Sequence, residues 1–185
     1  MLKFASLLSS ALLLIGCAGG PIVGIYPQVL HQDIHSLYYA QTVPVFAGAG
    51  GPTEVYGSPA GGGSASEVVA GVRLPSWVAS RSLTAVEPGK GGLRLVLVFA
   101  PQTTALGSAA CQGQAKGGEA GTQMKVFGVF CRGNRPMSEA VVYAKGSPSV
   151  SDPAMAGALN RLVVSLMPAV DQRRDNGERA NRINP

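Results

Sequence analysis

The sequence predicts an α+β fold in which a small, mainly antiparallel sheet is covered by a C-terminal helix. Three stretches carry this prediction: an apolar run with strand periodicity, two β-rich runs around a short turn, and a capped run with helical periodicity. All three lie in the C-terminal two-thirds of a chain of 185 residues. The N-terminal part is dense in glycine and proline, which favours irregular structure.

The central strand is predicted over Leu93 to Phe99. Leucine or phenylalanine stands at every second position of this run, and two of the three intervening residues are valine. A strand that is apolar on both faces is typical of the interior of a sheet. Pro101 ends it.

A β-hairpin is predicted from two runs further along the chain, Met124 to Arg132 and Ser138 to Ala144. Both are rich in β-branched and aromatic residues, and Gly133-Asn134-Arg135-Pro136 separates them. Such runs on either side of a Gly-Asn turn indicate antiparallel pairing.

The covering helix is predicted from Asp152 to Met167. Asp152 is a capping residue, and Pro153 suits the first helical turn. Apolar residues then recur at helical spacing: Met155, Leu159, Leu162, Val163 and Leu166. The polar tail that follows, Asp171 to Pro185, is predicted to be disordered.

The N-terminal elements are less regular. Apolar residues spaced by three and four predict an amphipathic helix over Pro27 to Gln41, with a strand near Leu37 to Ala40 as the alternative. A short strand is predicted at Thr53 to Gly57. Ser66 to Leu74 is ambiguous, with its serine as a helix cap, and Arg81 to Val86 is predicted to be a strand.

These elements divide the chain into four parts. They are a signal peptide (1–16), a tether with the helix predicted above and a Gly/Pro-rich segment (17–65), an α+β domain (66–168) and a disordered tail (169–185). Within the domain, Trp77 is predicted to anchor the core.

The first residues have the layout of a bacterial lipoprotein signal. Lys3 precedes an apolar run from Phe4 to Ile15, and Leu14-Ile15-Gly16-Cys17 has the order of a lipobox. The run is too short to span a bilayer, and an ordinary secretory signal is the alternative. We therefore expect acyl chains, palmitate among them, on Cys17 and a periplasm-facing protein anchored in the cell envelope.

The two remaining cysteines predict a disulfide. Cys111 lies in a glycine-rich loop, Gln102 to Gly121, and Cys131 lies near the end of the predicted hairpin. An even pair in an oxidising compartment favours a structural bridge, with free thiols or redox and metal chemistry as the alternatives.

The charge is +5 and is scattered along the chain, without a basic run interleaved with aromatic residues. This pattern argues against a nucleic-acid partner. No motif for a cofactor is present, and none is expected.

His31 and His35 are weak candidates for a metal site. On the predicted helix they share one face while Asp33 points elsewhere, and zinc needs at least a third ligand, so no metal site is predicted. Glu119 and Glu139 do not form a recognisable acid/base pair, and the chain has no nucleophile elbow. We therefore predict no catalytic residues.

Arg132, Asn134 and Arg135 form a polar group at the hairpin turn. They are candidates for contact with a partner, and ordinary turn chemistry is the alternative.

The chain resembles uncharacterised small envelope lipoproteins of Gram-negative bacteria. The resemblance rests on four stretches: Thr53 to Pro59, Leu93 to Pro101, Phe130 to Gly133 with Ser138 to Ala140, and the helix that opens at Asp152-Pro153. Ala18, where such proteins often carry an aspartate that retains them in the inner membrane, implies the outer membrane. The resemblance implies no activity for any residue.

The expected function is that of a lipid-anchored, non-catalytic envelope protein that binds another protein or an envelope polymer. A small-ligand or metal-binding lipoprotein that uses His31 and His35 is the first alternative. An envelope enzyme is the second.

Overall fold

A computed structural model describes residues 27–80, 82–89, 91–102 and 107–170. Six strands form one sheet in the order β1-β6-β5-β4-β2-β3. The strands are β1 Gln28–Ile34, β2 Pro52–Tyr56, β3 Thr84–Ala85, β4 Leu93–Phe99, β5 Gln123–Arg132 and β6 Arg135–Lys145. The helices are α1 Thr42–Gly48, α2 Ala65–Ala70, α3 Gly107–Cys111 and α4 Pro153–Leu166. All neighbouring strands are antiparallel except β2, which is parallel to β4 and β3. The α+β prediction is confirmed.

One face of the sheet, the core face, carries the main hydrophobic core. Helix α4 packs on it over β1, β5 and β6, and its cap is Asp152, whose carboxylate accepts a hydrogen bond from the Ala154 amide. Gly128 of β5 allows close approach, because a β-carbon there would lie 2.9 Å from side-chain atoms of Leu162 and Leu166. The predicted covering helix and its cap are confirmed.

The other face is smaller, and we call it the disulfide face. Its apolar residues are Val96, Val98, Phe127, Val129, Ala110, Cys111 and Cys131. Helix α3 covers it, inside the stretch that the sequence predicted to be a loop. The predicted disulfide joins Cys111 of α3 to Cys131 of β5.

The predicted helix over Pro27 to Gln41 is wrong. Gln28–Ile34 is the edge strand β1, which pairs antiparallel with β6, and the alternative strand near Leu37 to Ala40 is absent as well. The physical reason is a β-bulge between Val29 and His31. A bulge inserts one extra residue and shifts the alternation of side chains, so the apolar pattern loses its period of two and imitates a helix.

The central strand and the hairpin match their predictions, whereas the short elements differ. The helix α2 is capped by Ser64 instead of Ser66: its hydroxyl accepts from the Glu67 amide, and the Glu67 carboxylate accepts from the Ser64 amide. The Ser64 amide, and then its hydroxyl, lower the pKa of Glu67. Trp77 is 37% exposed, so its prediction as a core anchor is wrong.

The sheet also takes in β1 and β2, which fall in the stretch 17–65. The signal peptide, Cys17 and the predicted disordered tail from residue 171 onward lie outside the described residues. Within the described ranges, no helix has the length and apolarity needed to cross a membrane.

Candidate metal centre

The edge strand β1 and the residue that follows it place three potential ligands on one face. Past the bulge, His31, Asp33 and His35 occupy alternate positions, and alternate residues of a strand point to the same side. His31 pairs with Val141 and Asp33 pairs with Glu139. Since Val141 packs on the disulfide face, the three side chains lie on that face too.

Glu139 of β6 supplies the fourth group. Its side chain is 16% exposed, and its two oxygens face the two histidines separately. Oε1 lies 4.0 Å from Nε2 of His31, and Oε2 lies 3.8 Å from Nε2 of His35. The other ring nitrogen of His35, Nδ1, lies 3.9 Å from Oδ2 of Asp33.

Asp33, His35 and Glu139 each offer one ligand atom, and these atoms lie within 4.8 Å of one another. Bonds of 2.0–2.1 Å to a tetrahedral zinc ion place ligand atoms roughly 3.4 Å apart. To match such a site, the 3.8 Å separation of His35 Nε2 from Glu139 has to shorten by about 0.4 Å, and separations that reach the 4.8 Å limit by about 1.4 Å.

Nε2 of His35 is buried and has no hydrogen-bond partner among the described residues. A proton on this nitrogen would form a charge-assisted hydrogen bond of about 2.7–2.9 Å to a carboxylate. The 3.8 Å separation from Glu139 is longer than that. Because buried polar atoms are nearly always satisfied, an ion or a water molecule between the imidazole and the carboxylate would supply the partner that this nitrogen needs.

A second polar cluster on the disulfide face is a buried ion pair, although the Arg94 Nε–H group does not meet hydrogen-bond geometry with any described residue. Nε of the buried Arg94 lies 2.7 Å from Oε1 of the buried Glu54. The guanidinium also donates to the carbonyls of Gly133 and Cys111. With its partners supplied by the fold, this ion pair has a structural role.

Tyr56 extends the same cluster. Its hydroxyl donates to Oε2 of Glu54 at 3.1 Å, and the Gly89 amide donates to Oε1 of Glu54. Burial, followed by the charge of Glu54, raises the pKa of Tyr56 to about 12.

The remaining sequence candidates are dispersed. Arg132, Asn134 and Arg135 are exposed at the β5–β6 turn. Glu119 accepts a hydrogen bond from the Gly61 amide, beyond the end of β2, whereas Glu139 faces the histidines. The structure therefore does not bring the two glutamates together as an acid/base pair.

Asp33 and Glu139 were not predicted to lie beside the histidines. The alternation His31-x-Asp33-x-His35 was the available signal, because it places three ligands on one face of a strand. The position of Glu139 beside them depends on the pairing of β1 with β6, for which the sequence offers no local signal.

A groove of about 720 Å³ lies between β1 and α4, on the side away from the histidines. Leu30 at the bulge and Val164 of α4 line it and are 63% and 54% exposed. At its rim, the Arg161 guanidinium donates to the carbonyl of Pro27. The groove follows an edge strand, and edge strands offer backbone groups for pairing with another chain.

No protein-family model, curated protein or solved structure matches the chain. The function is therefore argued from the geometry of the site.

Proposed function

We propose that this protein binds a divalent transition-metal ion, with Zn²⁺ as the expected ion. The ligands are Asp33, His35 and Glu139, and His31 is a further ligand from the rim. The observation that supports this proposal is the buried Nε2 of His35, which has no hydrogen-bond partner in the part of the chain that the structure describes and lies 3.8 Å from a carboxylate oxygen of Glu139.

The donor set suits this class of ion. Imidazole nitrogen and carboxylate oxygen together are typical zinc ligands, whereas Ca²⁺ and Mg²⁺ prefer oxygen alone. Two carboxylates balance the charge of a divalent cation, which lowers the cost of burying it. His31 is mostly exposed, so its ring can turn toward an ion without disturbing the core.

The location that we propose is the periplasmic side of a bacterial envelope membrane, the outer membrane by preference, with a lipid anchor on Cys17. The lipobox order of Leu14 to Cys17 supports the anchor. Ten residues lie between Cys17 and the start of β1 at Gln28, and a fully extended chain over these eleven Cα–Cα steps reaches at most roughly 40 Å. The metal centre would therefore lie close to the membrane surface.

Titration of the purified protein with Zn²⁺, in competition with a chromophoric chelator, tests the metal proposal. We expect one bound ion per chain. His35→Ala should weaken binding by more than the roughly 10- to 100-fold that follows loss of an outer hydrogen-bond partner of a ligand. Glu139→Gln should have a comparable effect, and His31→Ala a smaller one.

Glu119→Gln is the matched control, because it removes an exposed carboxylate that lies outside the cluster. Its Zn²⁺ affinity should equal that of the wild type. Equal affinity in His35→Ala and the wild type would refute the proposed site.

Palmitate labelling followed by membrane fractionation tests the anchor. The wild type should carry the label and sediment with membranes, and Cys17→Ala should lose both properties. Label in Cys17→Ala would contradict the lipobox.

The groove between β1 and α4 favours a second function, the binding of an envelope protein. We propose that an extended, apolar segment of that partner contacts Leu30 and Val164 and pairs with the edge of β1 on which no described strand lies. The support is the exposure of both side chains in one groove on an edge strand.

A photo-crosslinking residue in place of Leu30 should capture one defined envelope protein in cells. Val164→Asp should abolish this capture. The same crosslinker in place of Val45, which is equally exposed but lies on α1, is the control. Equal capture from both positions would show that the groove is not a specific site.

A further inference from the structure

Helix α3 lies directly against the carboxylate of Glu139. A β-carbon at Gly107, the first residue of α3, would overlap Oε2 of Glu139 and would lie 3.0 Å from Cβ of Pro136. The oxygen that α3 confines is the one that faces Nε2 of His35. The position of α3 therefore restricts where this ligand oxygen can go.

The opposite end of α3 carries the disulfide. Cys111, its last residue, is bonded to Cys131 of β5, and its carbonyl accepts a hydrogen bond from the Arg94 guanidinium. The helix has five residues, and helices shorter than about 12–15 residues are marginal without external support. Since its buried residues are only Gly107, Ala110 and Cys111, the covalent bond adds an attachment that its small apolar contact with β5 and β6 does not provide.

We propose that formation of the Cys111–Cys131 disulfide sets the metal affinity of the cluster, so that Zn²⁺ binds fully only to the oxidised chain. This inference rests on the metal-binding function proposed above. The bond holds α3 against Glu139, and the helix holds the carboxylate near His35. Outer partners that orient a ligand through a hydrogen bond commonly change metal affinity by about 10- to 100-fold, and for the steric contact of α3 we expect the lower end of that range.

The oxidation needs an external disulfide, carried by a protein or a small-molecule thiol. The two thiols of Cys111 and Cys131 give up two electrons and two protons. One sulfur–sulfur bond forms in the chain, the external disulfide bond breaks, and two external thiols result. Disulfides of this kind form outside the cytoplasm, so the chain would acquire its metal site after export.

Both cysteines are fully buried in the folded protein. Oxidation is therefore expected while the chain folds, and the finished bond is shielded from external thiols. The disulfide thus acts as an assembly requirement for the metal site.

The test compares Zn²⁺ affinities of the full chain, purified in detergent, by chelator competition. The disulfide is removed by substitution of the cysteines and not by chemical reduction, because thiol reductants bind zinc themselves. Cys111→Ser/Cys131→Ser should bind Zn²⁺ about tenfold more weakly than the oxidised wild type. Far-UV circular dichroism establishes that the double variant is folded.

Gly107→Ala tests the same contact with the disulfide intact. The new methyl group displaces Oε2 of Glu139, so the affinity should again fall about tenfold. Gly121→Ala, where a β-carbon meets nothing within 4 Å, is the control and should bind like the wild type. If the double variant does not fold, Gly107→Ala decides whether the position of α3 controls the site.

Wild-type affinity in a folded double variant, or in Gly107→Ala, would overturn the coupling and leave the metal site intact. Absence of Zn²⁺ binding by the oxidised wild type would instead contradict the proposed function itself.

Discussion

The two faces of the sheet are stabilised by different kinds of interaction. The core face is covered by α1, α2 and α4 and buries almost exclusively apolar side chains, including a T-shaped contact between Phe46 and Phe130. The disulfide face buries fewer apolar residues, and it adds a covalent bond and a buried ion pair. The first face depends on area removed from water, and the second on a small number of specific contacts.

This difference bears on where a binding site can form. Polar ligands cannot be placed among close-packed apolar side chains without a desolvation cost. The disulfide face is thinly covered, so it leaves His31, Asp33 and His35 partly open beside Glu139. The candidate site therefore lies on the face that is stabilised by polar and covalent contacts.

The largest effect should come from breaking the ion pair of the disulfide face. Arg94→Met leaves Glu54 buried without its cation, which typically costs about 3–5 kcal/mol of unfolding free energy. The double variant Glu54→Gln/Arg94→Met should recover more than half of that loss, because no unpaired charge remains. Urea unfolding of the single and double variants measures both. A loss below about 1 kcal/mol in Arg94→Met would contradict the comparison, since exposed pairs contribute that little.

A cavity on the core face should lower the free energy of unfolding slightly less than loss of the Arg94 cation does. Leu159 of α4 is fully buried, and Leu159→Ala should lower the free energy of unfolding by about 3 kcal/mol through lost burial and the cavity. Val164→Ala on the same helix is the control and should stay within about 0.5 kcal/mol of the wild type, because Val164 is exposed. Similar losses in both variants would show that α4 does not pack as described.

A smaller loss of stability is expected when the tyrosine beside the ion pair is changed. Tyr56→Phe removes the hydrogen bond to Glu54 and should cost about 1 kcal/mol at neutral pH.

The same tyrosine has a defined pH dependence. Its pKa rises from 10.0 to about 12 in the folded protein, so folding favours the neutral phenol. This stabilisation is complete below pH 10 and is lost as the pH rises toward 12. Unfolding curves across that interval should converge for the wild type and Tyr56→Phe, and a constant difference would contradict the assignment.

The smallest expected effect is an increase in the free energy of unfolding. Gly157 lies exposed in the interior of α4, and a β-carbon there meets nothing within 4 Å. Gly157→Ala should therefore stabilise the protein by about 0.5–1 kcal/mol, because glycine loses more chain entropy than alanine in a helix. The midpoint temperature of thermal unfolding should rise. A lower midpoint would indicate that the surface of α4 at Gly157 makes a contact that the new methyl group disturbs.

The elements that were predictable share a feature: the signal for each lies within its own segment. The alternation in Leu93 to Phe99, the Gly-Asn turn and the cap at Asp152 are local patterns, and the structure confirms all three. Short elements were harder to predict from the sequence. Helix α3 is only five residues long, and its glycine and serine are typical of a loop. The disulfide that holds the helix in place joins it to a distant strand, so no local pattern indicates it.

The candidate site was half predictable. His31 and His35 stand out in the sequence as a pair, but the bulge at Leu30 disguised their strand as a helix. On a helix, Asp33 would have pointed away; on the strand it faces the same side. Glu139 joins them only through the pairing of β1 with β6, a long-range choice that residue spacing does not encode.

The sequence by itself determined the fold class, the central strand, the hairpin, the capped helix α4 and the pairing of Cys111 with Cys131. Each follows from local periodicity, from capping and turn chemistry, or from cysteine count. Only the tertiary structure decided that β1 is an edge strand, that Arg94 and Glu54 form a buried pair, and that His35 meets Glu139. These contacts join segments that are distant in the chain, and their geometry depends on the register of the sheet and on the cover that α3 provides.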